Sequence, residues 1–447
     1  MIYMDGKEIF LKINEFISST LYKSMLNGLR YYKCKNDIIS RKFYYYKLGV
    51  KEEDLFRANE KIPNDFLKII IDQKVHYCVG KDVIIEGVND LPFDINDEID
   101  HIAEEASQKS KAWCFVWIDK DGKFKQKKVE SETIIDIYDN TIEKNLIGLI
   151  RTYTQDKFNY AEYWTDFDKS IYVQDGSKYI LLETTSHLDN GVSWGKIPFV
   201  RMLNNQYEMT DLDNIKDLID SYDLNLSDFS NNFIDFQDVI YKLKNYSETL
   251  RDDTAISDFL DFLKKYKVVN VDENGDFEVL TNEIPSQARI QYLEILRKNI
   301  FNMAHAVDTE KLSGGDLTNV TIKAYFTNLD IKANKFIKEI KRYIKDMLYF
   351  SNEYKTMNGL PIDDLTKTNI IVNKSQLINE SEIIDSLVAS QGMISQETIV
   401  KNHPLVDDYE DEIKKINEEN SKNEESNNNF DSNMNQFSKI NSSDKTL

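Results

Sequence analysis

Hydrophobic positions from Pro285 to Phe350 follow a helical period, a break, and the same period again. Ala288, Tyr292, Ile295, Leu296, Ile300 and Met303 share one face of a helix that Ser286 caps at 286–306. The break is Val307-Asp308-Thr309-Glu310-Lys311-Leu312-Ser313-Gly314-Gly315-Asp316, where adjacent glycines admit backbone angles that a helix does not use. The period resumes near Thr318 with Ile322, Tyr325, Phe326, Leu329, Ala333, Phe336, Ile340, Tyr343, Ile344 and Met347. No Pro or Gly interrupts Leu317 to Phe350, which predicts up to roughly 50 Å of rod at about 1.5 Å per residue. Two long rods joined by a polar glycine loop suit a mechanical or assembly part better than a small-molecule enzyme.

The rest of the chain divides by texture. Residues 1–60 read as helical and rich in aromatics, and Pro63 opens an amphipathic helix through Val75. Asp82 to Glu86 reads as a strand and 94–110 as a helix. From Lys111 to Val200 the period changes to two. Strands are predicted at Trp113–Ile118, Lys123–Val129, Ile134–Tyr138, Leu146–Thr154, Tyr160–Trp164, Ile171–Val173 and Tyr179–Leu182. Asp119-Lys120-Asp121-Gly122 and Asp175-Gly176 supply turns, and Gly195 to Val200 closes the unit. This makes the fold class α+β, an antiparallel sheet with helices. A long helix follows over 211–236. Next comes an insert with a strand at Val239–Leu243, a helix at Ala255–Tyr266 and a hairpin of Val268–Val271 with Phe277–Leu280 across Asp272-Glu273-Asn274-Gly275. Two long helices therefore bracket a small α/β knob. After Phe350 a strand is expected at Asn369–Val372, with short helices at Ser381–Ser390 and Ser395–Lys401. From Asn420 the composition predicts disorder.

Composition sharpens this picture. The 447 residues suffice for roughly two to four structural units, and 41% hydrophobic with 12% aromatic residues supports a real core. No apolar run is long enough for a bilayer, and the first residues read as a cytoplasmic start rather than a signal peptide. Cys34, Cys78 and Cys114 are widely spaced beside apolar residues and read as buried free thiols. Lys and Arg number 56 against 77 Asp and Glu, a net charge of −21. Such a surface lets nucleic acid slide past rather than gripping its phosphates, although acidity also serves solubility alone.

Catalytic patterns are missing. There is no GxxxxGK[ST] phosphate loop and no G-x-S-x-G elbow, and the five histidines do not pair with cysteine at metal-ligand spacing. Asp252-Asp253 and Asp407-Asp408 offer carboxylates for a Mg²⁺-dependent nuclease, but solvated surface is the ordinary reading of such pairs. Lys332, Lys335, Lys338, Arg342 and Lys345 form a basic stripe on the long helix. It reads as a solvent face, or as a contact for DNA or an acidic neighbouring subunit.

Short motifs then accumulate in a fixed order. They are Gly28-Leu29-Arg30-Tyr31-Tyr32 with Asn36-Asp37-Ile38, Val75-His76-Tyr77-Cys78-Val79-Gly80, and Trp194-Gly195-Lys196-Ile197-Pro198-Phe199 with Asn204-Asn205. Leu218 to Asp223, Glu283-Ile284-Pro285, Ala306-Val307-Asp308 with Ser313-Gly314-Gly315, and Leu329-Asp330-Ile331-Lys332-Ala333 follow. Ile394 to Thr398 and Asn402 to Asp408 close the series. In order and spacing the chain resembles the portal proteins of tailed bacteriophages, of the type found in siphophages of Gram-positive hosts. It departs from them at Asp316-Leu317-Thr318-Asn319, which is more polar than related loops, and in an Asn-rich tail.

The resemblance implies a ring, twelve subunits in the particle, at one capsid vertex. It implies a wing at 1–210, stem helices at 211–237 and 286–306, and a clip at 238–285. A tunnel loop would span 307–318, a long wing helix and strand 319–374, a helical crown 375–419 and a disordered tail 420–447. Val307, Asp308, Lys311, Ser313, Gly314, Gly315 and Asp316 would face the DNA channel, with a hinge at Gly314-Gly315. Lys264, Lys265, Asn274 and Gly275 would meet partners at the clip. Double-stranded DNA would pass through the channel for packaging and ejection. The terminase large subunit, a head–tail connector or adaptor, and major capsid and scaffold proteins would dock outside it. No enzyme activity, cofactor, metal or membrane is implied, and the place of action would be the virion, with assembly in the host cytoplasm. A head–tail adaptor without a channel and a metal-dependent DNA-processing enzyme are the alternatives.

Overall fold

The computed structural model describes residues 4–47, 49–55, 57–188, 191–235, 240–244, 276–280, 286–312, 318–375, 380–401, 403–406 and 412–419. They fall into two units, Met1–Asp308 with Asn328–Ser375, and Thr309–Thr327 with Gln376–Leu447.

The first unit opens with α1 (Gly6–Ser18), started by a capping box. Asp5 accepts from the Lys7 and Glu8 amides, and Glu8 accepts from the Asp5 amide. Ser19 ends α1 and caps α2 (Thr20–Tyr32) by accepting from the Tyr22 amide. The expected helical run of 1–60 ends there. Tyr44-Tyr45-Tyr46 has strand propensity, and Gly49, at φ +80°, permits a tight turn between β1 (Tyr44–Lys47) and β2 (Val50–Glu53). Segment 36–64 is stitched to the later helix of residues 216–235 by side chains: Asn36 and Asn64 donate to Asp223, Ser227 accepts from the Ile62 amide, Asp228 accepts from Arg41, and Asn231 accepts from the Glu60 amide.

Next come α3 (Phe66–Val79), β3 (Ile84–Glu86) and α4 (Ile99–Lys109). Then β4 (Lys111–Ile118), β5 (Phe124–Val129), β6 (Ile134–Tyr138), β7 (Leu146–Gln155), β8 (Phe158–Trp164), β9 (Asp168–Asp175), β10 (Lys178–Ser186) and β11 (Phe199–Leu203) build two antiparallel sheets. One is a meander ordered β10-β9-β8-β7-β6, and the other is β11-β4-β5. The strand expectations hold closely. The split into two sheets was not foreseen, nor was the return of β11 to pair Phe199 with Phe115. Trp113, Ile134, Leu149, Trp164, Ile197 and Phe199 bury one apolar cluster. Ile9 and Ile13 of α1 bury a second against Ile150, Tyr163 and Tyr172 of the meander.

Helix α5 (Lys216–Asp235) begins later than the expected 211, because residues 211–215 form a turn around Asp211. Of the insert, β12 (Ile240–Lys244) and β13 (Asp276–Leu280) are described and pair antiparallel, Ile240 with Leu280. The expected helix 255–266 and strand 268–271 lie outside the described residues. Helix α6 (Ser286–Ala304) packs on α5. The long helix α7 (Asn319–Met357) runs 39 residues, about 58 Å at ~1.5 Å per residue. From Leu329 onward its Ala333, Phe336, Ile340, Tyr343, Ile344 and Met347 are buried in the first unit. After it, β14 (Asn369–Ile371) pairs with β3, Ile370 opposite Ile85. Among the described residues no helix is long and apolar enough to cross a membrane. All three cysteines are free. Cys78 and Cys114 are buried and their thiols are pushed up to about 12 by burial, whereas Cys34 is only half-buried.

The second unit holds a 3-10 turn at Thr309–Leu312, the first residues of α7, and the short helices α8 (Glu380–Ala389) and α9 (Gln396–Lys401), with a further helix at 412–419. The two short helices lie close to their expected bounds, and the tail expected to be disordered lies outside the described residues.

Gly28 of α2 lies against α4, where an added Cβ would sit 1.9 Å from the Gln108 carbonyl oxygen. Gly28→Ala is expected to force the helices apart and lower stability by about 2 kcal/mol, read by urea unfolding.

Candidate functional site

The loop between α6 and α7 is the feature toward which the charge and glycine pattern points, and its first residues are held firmly. Gln73 of α3 accepts from the Val307 amide at 2.8 Å and donates to the Val307 carbonyl at 3.1 Å. Arg297 of α6 grips Asp308 with two hydrogen bonds, Nε to Oδ2 at 3.1 Å and Nη2 to Oδ1 at 2.9 Å. A bidentate guanidinium–carboxylate pair fixes direction as well as distance. Val307 is buried, and α6 is stopped by His305 at φ 55°. Val307 and Asp308 therefore form the fixed base of the loop. Lys311 lies in the Thr309–Leu312 turn, and Ser313, Gly314, Gly315 and Asp316 lie outside the described residues. So do Lys264, Lys265, Asn274 and Gly275.

One helical turn away, three buried or half-buried charges tie four segments together. The Lys74 ammonium of α3 is 2.7 Å from Asp211 Oδ2 and donates to Asn204 Oδ1 at 2.7 Å. Lys332 of α7 reaches the same Asp211 Oδ2 at 3.1 Å and donates to the Ala304 carbonyl, at the end of α6, at 3.0 Å. Asn204 returns a hydrogen bond to Asp211 Oδ1 at 3.0 Å. Phe336 places its ring 4.4 Å from the Lys74 nitrogen. Burial would raise the Asp211 pKa, but the Lys332 and Lys74 ammoniums hold it well below the usual carboxylate range. Burial lowers Lys74 to about 8 against the pull of Asp211. A third anchor holds α7 nearby. Asp330 accepts from Lys374 at 2.5 Å and from the Tyr77 hydroxyl at 3.0 Å, and the Ser375 amide donates to the Tyr77 carbonyl.

The expected basic stripe on α7 splits. Lys335, Lys338, Arg342 and Lys345 are exposed, but Lys332 turns inward to Asp211. Lys74, Asp211, Gln73 and Arg297 were not singled out beforehand, and Asp330 appeared only within the Leu329–Ala333 motif. Lys74 carried a signal: it stands with Ile70, Ile71 and Cys78 on the apolar face of α3, where a lysine needs a buried partner.

Among the described residues, three carboxylates converge at Glu105, Glu130 and Glu132, a set able to hold a cation. The Lys109 ammonium already fills that position, at 2.8, 3.0 and 2.5 Å from them. Asp252-Asp253 and Asp407-Asp408 lie outside the described residues.

Residues 17–426 match the family model described as phage portal protein, SPP1 Gp6-like. The portal protein of Bacillus phage SPP1 is 29% identical over 386 residues, 80% of this chain and 76% of that one. The portal protein of Clostridium phage phiCD119 is 30% identical over 382 residues, 76% of this chain and 82% of that one. A solved structure described as the neck of a native GTA particle computed with C12 symmetry aligns over 86% of this chain and 94% of its own, at 8% identity and a TM-score of 0.47.

Asp211→Asn is expected to leave two buried ammoniums without their counter-charge and to cost about 3 kcal/mol at pH 7, measured by urea unfolding. Because the folded pKa of Asp211 is depressed, its contribution is present above about pH 4 and is lost as pH falls. The gap between the two proteins should therefore narrow in acid, and a gap independent of pH would contradict the assignment.

Proposed function

The chain belongs to the phage portal protein family of the SPP1 Gp6-like type, and from that membership we propose that it is one subunit of a ring-shaped channel through which double-stranded DNA enters and leaves the capsid. The protein is a component of the phage particle, with a structural rather than an enzymatic family role. The observation that carries the ring is the surface of α5 and α6. Tyr292, Ile295 and Met303, on the periodic apolar face of α6, are exposed in the single chain, as are Leu224, Phe233 and Ile234 of α5. Apolar faces of this extent call for a neighbour, and a head-to-tail contact that closes supplies one to every subunit.

In this reading 1–210 is the wing, 211–237 and 286–306 the stem, 238–285 the clip and 307–318 the tunnel loop. The 319–374 stretch returns through the wing, and 375–419 is the crown. The anchored Val307-Asp308 base supports the loop assignment, since a loop that touches moving DNA needs a fixed root and a free tip. Movement would begin past Asp308, at the Gly314-Gly315 pair. Twelve chains at −21 carry roughly −250 before ion binding, a field that keeps DNA phosphates unlatched. The clip, with Lys264, Lys265, Asn274 and Gly275, would meet the terminase large subunit, which supplies ATP hydrolysis, and later the head–tail connector. Capsid and scaffold proteins would meet the wing and crown at the vertex, and assembly would take place in the host cytoplasm.

Native mass spectrometry with negative-stain imaging of the purified chain is expected to give a ring of about a dozen subunits with a central hole. A monomer that stays monomeric when co-expressed with capsid proteins would instead favour a head–tail adaptor without a channel. Gly314→Pro should leave rings intact and abolish DNA packaging in an in vitro assay; packaging at the wild-type rate would refute the hinge.

A further inference from the structure

Counting hydrogen-bond donors at the Lys74–Asp211–Lys332 junction leaves a surplus. Each ammonium has three N–H donors. Lys74 donates to Asn204 and lies 2.7 Å from Asp211 Oδ2, and Lys332 donates to the Ala304 carbonyl and lies 3.1 Å from the same oxygen, so neither has more than two partners among the described residues. The second Asp211 oxygen is taken by Asn204. At least one donor of each lysine is therefore left over, and the two ammoniums together exceed the single negative charge of Asp211.

Both lysines line a cavity of about 220 Å³, as do Thr210, His305 and Lys335. Thr210 is 2% exposed, and its hydroxyl is buried without a hydrogen-bond partner. Lys335 makes no ion pair among the described residues and stands at the exposed side. Three ammoniums thus face one carboxylate. Burial, and then Lys332 and Lys335, lower the His305 pKa. Buried donors without acceptors are costly, and an excess of buried cations even more so.

We propose that this cavity is an oxyanion site that takes a phosphate-type group, held by the spare donors of Lys74 and Lys332, the Thr210 hydroxyl and the Lys335 ammonium. Several donors spread around a small cavity suit a tetrahedral anion with several acceptor oxygens better than a monatomic ion. The bound group would add its charge to the junction that joins α3, the Asn204–Asp211 turn, α6 and α7. All the named donors come from one chain, and the test uses the full chain.

The probe is inorganic phosphate, followed by ³¹P line broadening on the full-length protein, with sodium chloride holding ionic strength constant. Saturable binding is expected, weakened at least fivefold in Lys335→Gln, whose exposed side chain can be changed without opening the core. Thermal unfolding of the same two proteins gives an independent reading, with a phosphate-dependent rise in the wild type that is reduced in the variant. Dimethyl phosphate, run in parallel, separates the two sources of the group. Competition would point to a nucleic-acid phosphodiester, and its absence to the free ion. No saturation up to tens of millimolar phosphate, or equal binding by Lys335→Gln, would overturn the site.

Discussion

Asp211 is the constraint on which the rest of the structure hangs. One buried carboxylate holds the ammoniums of Lys74 and Lys332 and is itself held by Asn204. Taking such charges out of water costs several kcal/mol per ion, and their attraction only roughly offsets this, so the cluster is a poor source of net stability. What it supplies is position. Any other packing of α3, α6 and α7 would strand a buried charge, which makes alternatives expensive. The end of α6, the middle of α7 and the turn before α5 are thereby fixed to one another.

From that fixed point the mechanical logic follows. Arg297 and Gln73 clamp the two residues that leave α6, so the loop starts from a rigid root. Lys374 and Tyr77 hold α7 at Asp330, less than one turn from Lys332. The long helix then buries Phe336, Ile340, Tyr343 and Met347 and serves as the spine of the first unit. In the proposed channel this frame would bear the force of moving DNA.

The same economy of charge recurs through the chain. Its surface is strongly acidic, yet Lys74, Lys109, Lys111 and Lys355 are almost completely buried, each against carboxylates. Lys109 gathers Glu105, Glu130 and Glu132, and Lys355 meets Asp363 at 2.6 Å. Internal cations thus knit strands, helices and turns together, and the balance of charge left to the rest of the chain is acidic.

Local physics was legible in the amino-acid order. The 3.6 period placed α6 and α7, the two-residue period placed the strands from β4 to β10, and the polar motifs in sequence pointed to the family. Glycine pairs and caps act over a few residues, so their consequences can be read from a few residues. The β1–β2 hairpin was missed because aromatic residues fit a helix and a strand alike, and only Gly49 decides between them. The anchors were missed for a different reason. Lys74 and Asp211 lie 137 positions apart, and Gln73 and Val307 lie 234 apart. Lys332 belonged to a stripe that looked exposed from end to end. Sequence by itself determined most of the described helices and strands, because propensity and periodicity are local. Tertiary structure alone decided which charges are buried together, because whether a lysine meets water or a carboxylate depends on segments that only folding brings into contact.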